Sequence, residues 1–263
     1  MGPGRGWRVA REWVVCQDIR VQSLYDFPDI YDAFHADVTE DLGYFRRLAR
    51  CSGGPVVEAG CGTGRVASVL VRDGCTVFGI DRSEVLLARA SDRISRALAG
   101  SDAPGRFEAI HGDVRDCVAP ASAALVILPL HFCAHVHSMP ELEDLLRCVR
   151  RACRPGGRVA LHGFVRGAGV AADGELAHRK TVRVGAEGES EWYETRVLSG
   201  DIEELVWYLQ TPRDDYTFEL KLRIWSVDQY VQAAAAAGLV PDKSWSQVDD
   251  ENMFLCFSCT SPE

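Results

Sequence analysis

Three glycines at alternate positions, Gly60, Gly62 and Gly64, stand between two apolar runs in PVVEAGCGTGRVASVLVRDGCTVFGIDRS, and Asp81 closes the stretch. Residues without side chains let the backbone take angles closed to others and approach a ligand closely. A carboxylate at the tip of the next strand, seventeen positions past Gly64, can accept both hydroxyls of a ribose. The pattern points to a cofactor that contains a nucleoside. The dinucleotide fingerprint needs a glycine three positions after Gly62, and the chain has Arg65 there, so the spacing fails for NAD.

A second set of residues, His131, His135 and His137 in PLHFCAHVHSMPE, offers neutral imidazoles able to take a proton from an attacking oxygen or nitrogen. His135 is the less favoured base, because helical continuation would turn it into the core. His131 and His135 are also spaced like helical metal ligands, but no Asp or Glu lies between them, and no metal is expected. A structural role for any one of these histidines stays open. Cys256 and Cys259 in CFSC have zinc-like spacing without a second pair. They lie in a strand where positions three apart face opposite sides, which reads as core.

Alternating strands and helices must hold these residues. A helix is expected over VTEDLGYFRRLA, Val38 to Ala49, and a buried strand over PVVEA. Helix follows over Arg65 to Arg72, strand over Cys75 to Ile80, and a long helix over Ser83 to Leu98 with a Ser cap. RFEAIHGD and ALVILPL read as strands, SMPELEDLLRCVRRAC as a helix with Pro140 in its first turn, and GRVALHGF as a strand after the Pro155-Gly156-Gly157 turn. This alternation calls for a doubly wound parallel sheet. From Lys180 to Ile224 the pattern changes to four runs of β-formers with no helix between them, an inserted antiparallel meander. SVDQYVQAAAAAGL then returns as a helix ended by Gly238, and NMFLCFSC closes as a strand.

Composition sets the outer limits. With 263 residues, 47% hydrophobic and 25% charged, the chain can bury a sizeable core. A formal net charge of -9 argues against binding a phosphate backbone, so no nucleic-acid partner is expected. No apolar run is long enough to cross a bilayer, and the start MGPGRGWRVAREWVV breaks its apolar positions with Arg and Glu. The expectation is a cytoplasmic chain with no membrane partner. Its scattered cysteines, Cys16, Cys75 and Cys133 among them, read as free thiols packed in a reducing compartment.

The motifs VVEAGCGTGR, VFGIDRS, HGDVRD and RRACRPGGRVAL, in that order, resemble those of the class I S-adenosylmethionine-dependent methyltransferases. The resemblance runs from about Leu24 to Ser258. It implies a Rossmann-like α/β fold, a doubly wound, mainly parallel seven-stranded sheet, here with the inserted meander. It implies S-adenosyl-L-methionine as cofactor, whose sulfonium and ammonium acids such as Glu58 would stabilise. By the same resemblance Gly60, Gly62 and Gly64 line the methionine part, Asp81 holds the ribose, and Asp113 with Val114 grips adenine. Arg82 and Leu86 complete that pocket, and Cys61, Arg65 and Leu128 count among the cofactor-binding positions. The family often has Asp at the start of the fourth strand, where this chain has Ala123 and Ala124.

SLYDFPDIYDAFH is similar to the N-terminal lid of small-molecule members, with Tyr25 at the cofactor and Tyr31 as a catalytic candidate beside His131 and His135. A lid tyrosine that only packs apolar surface is an equal alternative. The meander carries Trp192, Tyr193, Trp207, Tyr208 and Trp225 among acids that include Glu187, Glu194 and Glu203. Such a cap suits an organic substrate with apolar rings and an amine, while a solvated face or a homodimer surface fits as well.

The chain then divides into an N-terminal extension (1–23), lid and first helix (24–50), cofactor-binding core (51–179), inserted substrate cap (180–226) and a C-terminal helix and strands completing the core (227–263). The expected activity is methyl transfer to N or O of a small molecule in specialised metabolism. A protein of the same fold that templates a non-methylating cyclisation or rearrangement remains an alternative.

Overall fold

The computed structural model describes residues 21–99, 105–116, 122–164, 174–185, 187–249 and 252–259. Most of the expected N-terminal extension, Cys16 included, lies outside these residues. In chain order the elements are β1 (Val21–Gln22), α1 (Pro28–Phe34), α2 (Glu40–Ser52), β2 (Val56–Ala59), α3 (Arg65–Arg72), β3 (Thr76–Asp81) and α4 (Glu84–Leu98). There follow β4 (Arg106–His111), β5 (Ala123–Leu128), α5 (Met139–Ala152), β6 (Cys153–Phe164), β7 (Ala177–Val184), β8 (Gly188–Ser199), β9 (Ile202–Gln210) and β10 (Asp215–Arg223). α6 (Val227–Ala236), β11 (Leu239–Pro241), β12 (Gln247–Val248) and β13 (Asn252–Cys259) complete the chain.

The larger sheet runs β11-β13-β6-β5-β2-β3-β4, with β12 beside β13. β6, β5, β2, β3 and β4 are mutually parallel, and β13 and β11 are antiparallel additions. Strand alternation sends successive side chains of the central strands to opposite layers. Val57, Val126 and Val159 join α5 and α6 in one core, whereas Val56, Leu125 and Ala160 join α2 and α3 in the other. Cys256 and Cys259 fall into opposite layers for the same reason.

Local chemistry sets the helix ends. The Ser83 hydroxyl accepts the Leu86 N–H, and Ser138 with Glu141 and Ser226 with Gln229 form reciprocal capping boxes. α2 begins and ends a little later than the Val38 to Ala49 pattern suggests. Its Thr39 side chain makes no cap bond, and left-handed Gly53 ends it. The Pro155-Gly156-Gly157 turn does not precede β6 but interrupts it. Cys153 pairs with Ala123 and the register then jumps to Arg158 opposite Leu125, so the turn is an excursion between two paired stretches of one strand.

A second sheet, ordered β1-β10-β9-β8-β7, is an antiparallel meander with β1 added parallel at its edge. It begins at Ala177, three residues before the expected boundary. Phe34 of α1 packs on Trp192 at 4.4 Å and Trp207 at 5.0 Å between ring centroids, in a third core shared with Ile30, Leu209 and Phe218. Burying a side chain of that size stabilises by about 1.5–3 kcal/mol. Asp29 pairs with Arg89, and Arg93 donates to Asp32 at 2.7 Å, which ties α1 to α4. The segment thus bridges the two sheets.

Candidate functional site

A cavity of about 1440 Å³ lies between the carboxyl ends of the parallel strands, the α1 segment and the meander. A smaller one of about 270 Å³ adjoins it behind the glycine loop. Both are lined by Tyr31, His35, Val38, Gly60, Pro129 and Leu130.

The glycine loop is held from below, since the Gly60 and Cys61 N–H groups donate to the Ile80 carbonyl at 2.8 and 3.0 Å. Gly60 has φ +67°, and a Cβ there would come within 2.2 Å of the Phe132 ring. Gly62 has φ +51°, and its Cβ would lie 3.2 Å from the Tyr31 hydroxyl. The space these glycines free is therefore partly filled by the protein's own aromatic rings, Phe132 from the turn after β5 and Tyr31 from α1.

Asp81 ends β3 with one oxygen accepting the Gly62 N–H at 2.8 Å and the other the Ser83 N–H at 2.9 Å. Burial raises its pKa against the pull of those donors. Each oxygen keeps a lone pair for a ligand hydroxyl. Asp113 is less available. Arg115 donates to it at 2.7 Å and Arg82 pairs with it too, so its pKa falls to about 2, chiefly through the Arg115 hydrogen bond. Its carboxylate is committed to two guanidiniums, and Arg82 serves as its partner with a side chain 70% exposed. Val114 and Leu86 line the large cavity beside them.

Of four expected contact residues, Leu128 lines neither cavity, while Arg65, Cys61 and Glu58 line only the smaller one. Arg65 donates to both oxygens of Asp41 at 2.6 Å and to the Val38 carbonyl at 3.0 Å. That fork is saturated by α2 and the residues before it. Cys61 is buried beneath the loop with its sulfur 2.8 Å from where a Cβ on Gly79 would sit. Leu128 points into the α5 and α6 core, because the strand pleat takes it away from the strand tip, and Pro129 and Leu130 line the cavity instead. Glu58 is 1% exposed and lines only the smaller cavity, where its Oε2 has no hydrogen-bond partner among the described residues. Burial pushes its pKa up to about 8.

The histidines are separated by backbone geometry. Residues Phe132–His135 form a 3-10 turn, and Leu130 and His131 before it are left-handed, with φ +47° and +56°. His131 and His135 therefore do not share a helix face. Consecutive non-glycine residues at positive φ carry strain that recurs at functional sites. The His131 N–H donates to the His162 carbonyl at 3.1 Å, and its ring lies 4.5 Å from His162 and 4.8 Å from Phe164. Its Nδ1 is buried without a partner among the described residues, and burial lowers its pKa to about 3.

His135 is not turned into the core. Its ring is open to solvent in the large cavity, with Nε2 3.3 Å from the Tyr25 hydroxyl. The surrounding cavity walls, by partly desolvating the ring, and then the charge of His137, lower its pKa to about 4. Burial pushes Tyr25 up to about 12, and burial with the charges of Tyr25 and Asp81 raises Tyr31 as well. His137 instead docks the meander, its Nε2 2.9 Å from the Lys221 carbonyl oxygen. No group of three or more His, Cys, Asp or Glu among the described residues is placed to hold a metal. Among those residues, no helix is long and apolar enough to cross a membrane.

The sequence did not point to Phe132, whose ring covers Gly60, or to buried Asp41 and His162 with half-buried Asn252 behind His131. His162 Nδ1 is 3.8 Å from Asp41, and its Nε2 is 3.0 Å from Asn252 Oδ1. The one sequence signal among these polar residues was His162 within the apolar run RVALHGF.

The residues present suit a ligand that carries both a ribose and a cationic amino-acid group. Asp81 offers lone pairs at the strand tip, Gly62 adds no side chain, and Glu58, with one oxygen unpartnered among the described residues, lines the smaller cavity.

Comparisons with known proteins agree. Residues 56–157 match the family described as Methyltransferase domain. The 27-O-demethylrifamycin SV methyltransferase of Amycolatopsis mediterranei is 31% identical over 128 residues, 47% of this chain and 44% of that protein. Methyltransferase GfsG of Streptomyces halstedii is 30% identical over 129 residues, 49% and 43% of the two chains. The match thus spans less than half the length of these relatives. The fold is shared with the CcbJ methyltransferase of Streptomyces caelestis, at TM-score 0.73 and 19% identity over 91% of this chain and 99% of that one. It is also shared with the S-adenosylmethionine-bound amino pentose methyltransferase CalS10 of Micromonospora echinaspora, at TM-score 0.65 and 16% identity over 93% and 100%.

Proposed function

Residues 56–157 being a methyltransferase domain of the class I, S-adenosylmethionine-dependent kind, we propose that this chain transfers a methyl group to N or O of a small organic molecule. The observation that carries the reading is the single cavity joining Asp81 and the glycine loop to His131, His135 and the meander. When bound, S-adenosylmethionine supplies a methyl group on a sulfonium that leaves readily. The chain's own part is then to bind, align and remove one proton.

Asp81 and the Gly62 loop are assigned to the ribose and the amino-acid end, with Val114 and Leu86 against the base. Glu58, behind the loop, becomes a carboxylate when a cation binds beside it. Tyr25, in the turn before α1, and Tyr31 of α1 close the cavity, and the ties to Arg89 and Arg93 hold α1 in place. His135 is the proton acceptor, because its ring is neutral near pH 7, reaches the cavity, and stands in solvent that can carry the proton away. Tyr25 orients that ring. His131, wedged against His162 and Phe164, shapes the wall beside it. Alignment in a cavity closed by aromatic rings supplies the larger share of the acceleration.

The name of one relative, 27-O-demethylrifamycin SV methyltransferase, supports a place in specialised metabolism. The test is calorimetric titration with S-adenosylmethionine, followed by incubation with 27-O-demethylrifamycin SV and a metabolite extract under mass-spectrometric search for products gaining one methyl group. Expected are saturable cofactor binding and release of S-adenosylhomocysteine. Absence of cofactor binding by the folded protein would overturn the reading.

A further inference from the structure

Pairing in the meander places Glu194 opposite Trp207, Arg196 opposite Leu205 and Leu198 opposite Glu203, and β10 continues the face with Leu220 and Leu222. Directly paired residues of an antiparallel sheet share a face. The face turned to the cavity is thus an apolar wall with Glu194, Arg196 and Glu203 in its middle and Arg179 beside them.

Those charges are held in one arrangement. Arg196 Nη2 lies 3.1 Å from Glu194 Oε1, and Nη1 lies 3.0 Å from Glu203 Oε1. Trp207 Nε1 donates to Glu194 Oε2 at 2.8 Å, and Arg179 Nε stands 3.9 Å from Glu194 Oε1. The glutamate side chains are 6% and 7% exposed and that of Arg196 is 25% exposed, so the carboxylates lie beneath the guanidinium that shows in the cavity. Burying ions costs several kcal/mol each, and apolar replacements of buried ion pairs are commonly as stable or more so. Stability alone therefore does not account for charges at these positions. Their effect is to fix a planar donor fork, which then loses little freedom when it binds a ligand.

We propose that Glu194, Arg196 and Glu203 form a recognition site for a neutral, oxygen-rich end of the methyl acceptor, one bearing adjacent hydroxyl or hydroxyl and carbonyl groups. The assignment rests on the methyltransferase reading and adds the chemistry of the substrate to it. Two carboxylates and two guanidiniums share the wall and already neutralise one another, so an ion of either sign gains little net attraction and meets a like charge at close range. A hydroxyl meets no such conflict. Its oxygen accepts from Arg196 while its hydrogen is donated to a glutamate, and Leu198, Leu220 and Leu222 cover the adjoining C–H groups.

Three probes on one ring separate the possibilities: trans-cyclohexane-1,2-diol, cyclohexylamine and cyclohexanecarboxylate. Each is added to the full chain saturated with S-adenosylhomocysteine, and binding is read by saturation-transfer NMR. The diol should give the strongest transfer, and Arg196→Met should lower it at least fivefold. The Glu194→Gln, Arg196→Gln, Glu203→Gln triple variant, which leaves no unpaired carboxylate to unfold the sheet, should lower it equally. Strongest transfer from the amine or the carboxylate, no transfer from the diol, or an unchanged diol signal in the triple variant would overturn the proposal. A separate titration of the unmodified chain with S-adenosylmethionine reports on the methyltransferase reading itself, so the two failures are distinguishable.

Discussion

The two ends of the cavity are built in opposite ways. At the strand-tip end the contacts come from short consecutive stretches and mostly from backbone. Gly60 to Gly64 sit on the Ile80 carbonyl, and Asp81 accepts the N–H of Gly62 on one side and of Ser83 on the other. At the meander end the wall is made of side chains from three strands, with Arg196 bridging Glu194 and Glu203. A backbone site depends on a few residue types at fixed spacing and has little room to vary. A side-chain wall on a meander keeps its fold while its chemistry is exchanged, which suits one end to an invariant ligand and the other to a particular substrate.

The largest expected effect falls on the backbone end. Gly62→Val should abolish measurable S-adenosylmethionine binding by calorimetry, because the branched side chain would meet Tyr31 and resist φ +51°, at a backbone cost of about 1–3 kcal/mol. Meander variants should bind normally. Retained binding in Gly62→Val would erase the contrast between the two ends.

His135→Ala stands between the ends. It should lower turnover by about 10²–10⁴ and leave cofactor affinity within twofold, as loss of a proton acceptor does. Tyr25→Phe should cost less. With His135 held near pKa 4, the group is already deprotonated near pH 7. Turnover should therefore be flat from about pH 6 to 8 and fall as pH drops through the region of that pKa. A fall with rising pH, or full activity in His135→Ala, would move the role elsewhere.

Asp81→Asn comes next, weakening S-adenosylmethionine binding by about 1–3 kcal/mol as one charged acceptor is lost. Unchanged affinity in a folded variant would remove the ribose role.

The smallest effect sharpens the electrostatics behind the loop. Glu58 has its pKa raised to about 8 by burial, above the ordinary carboxylate value, so its folded form is protonated near pH 7. The sign follows: the unbound protein loses stability as pH rises from about 4.5 towards 8, because ionisation is cheaper in the unfolded chain. A cationic ligand beside it favours the carboxylate. S-adenosylmethionine binding at pH 7 should then release up to one proton, measured by calorimetry in buffers of different ionisation enthalpy, and Glu58→Gln should abolish that release. No release from the unmodified chain would place the cation away from Glu58.

How far the sequence alone reaches follows from these particulars. The βαβ order, the glycine loop, Asp81 at its strand tip and the Ser83 cap were all legible, because each depends on neighbours a few residues away and on the periods of strand and helix. The helix from Arg65 to Arg72 was legible with its boundaries. The fates of individual side chains were not. Arg65, at the first position of its helix, was expected to contact the cofactor until Asp41, from another helix, took both terminal nitrogens of its fork. Leu128 looked like a strand-tip contact until the pleat turned it into the core. His131 and His135 looked like helix neighbours until two left-handed residues broke the phase. Local spacing determined which backbone segments form the site, since hydrogen bonding and chain geometry act over a few residues. Only the packing of distant elements decided which side chains face the cavity, because a charge or a ring goes wherever its partners lie, and those partners are brought together by the fold.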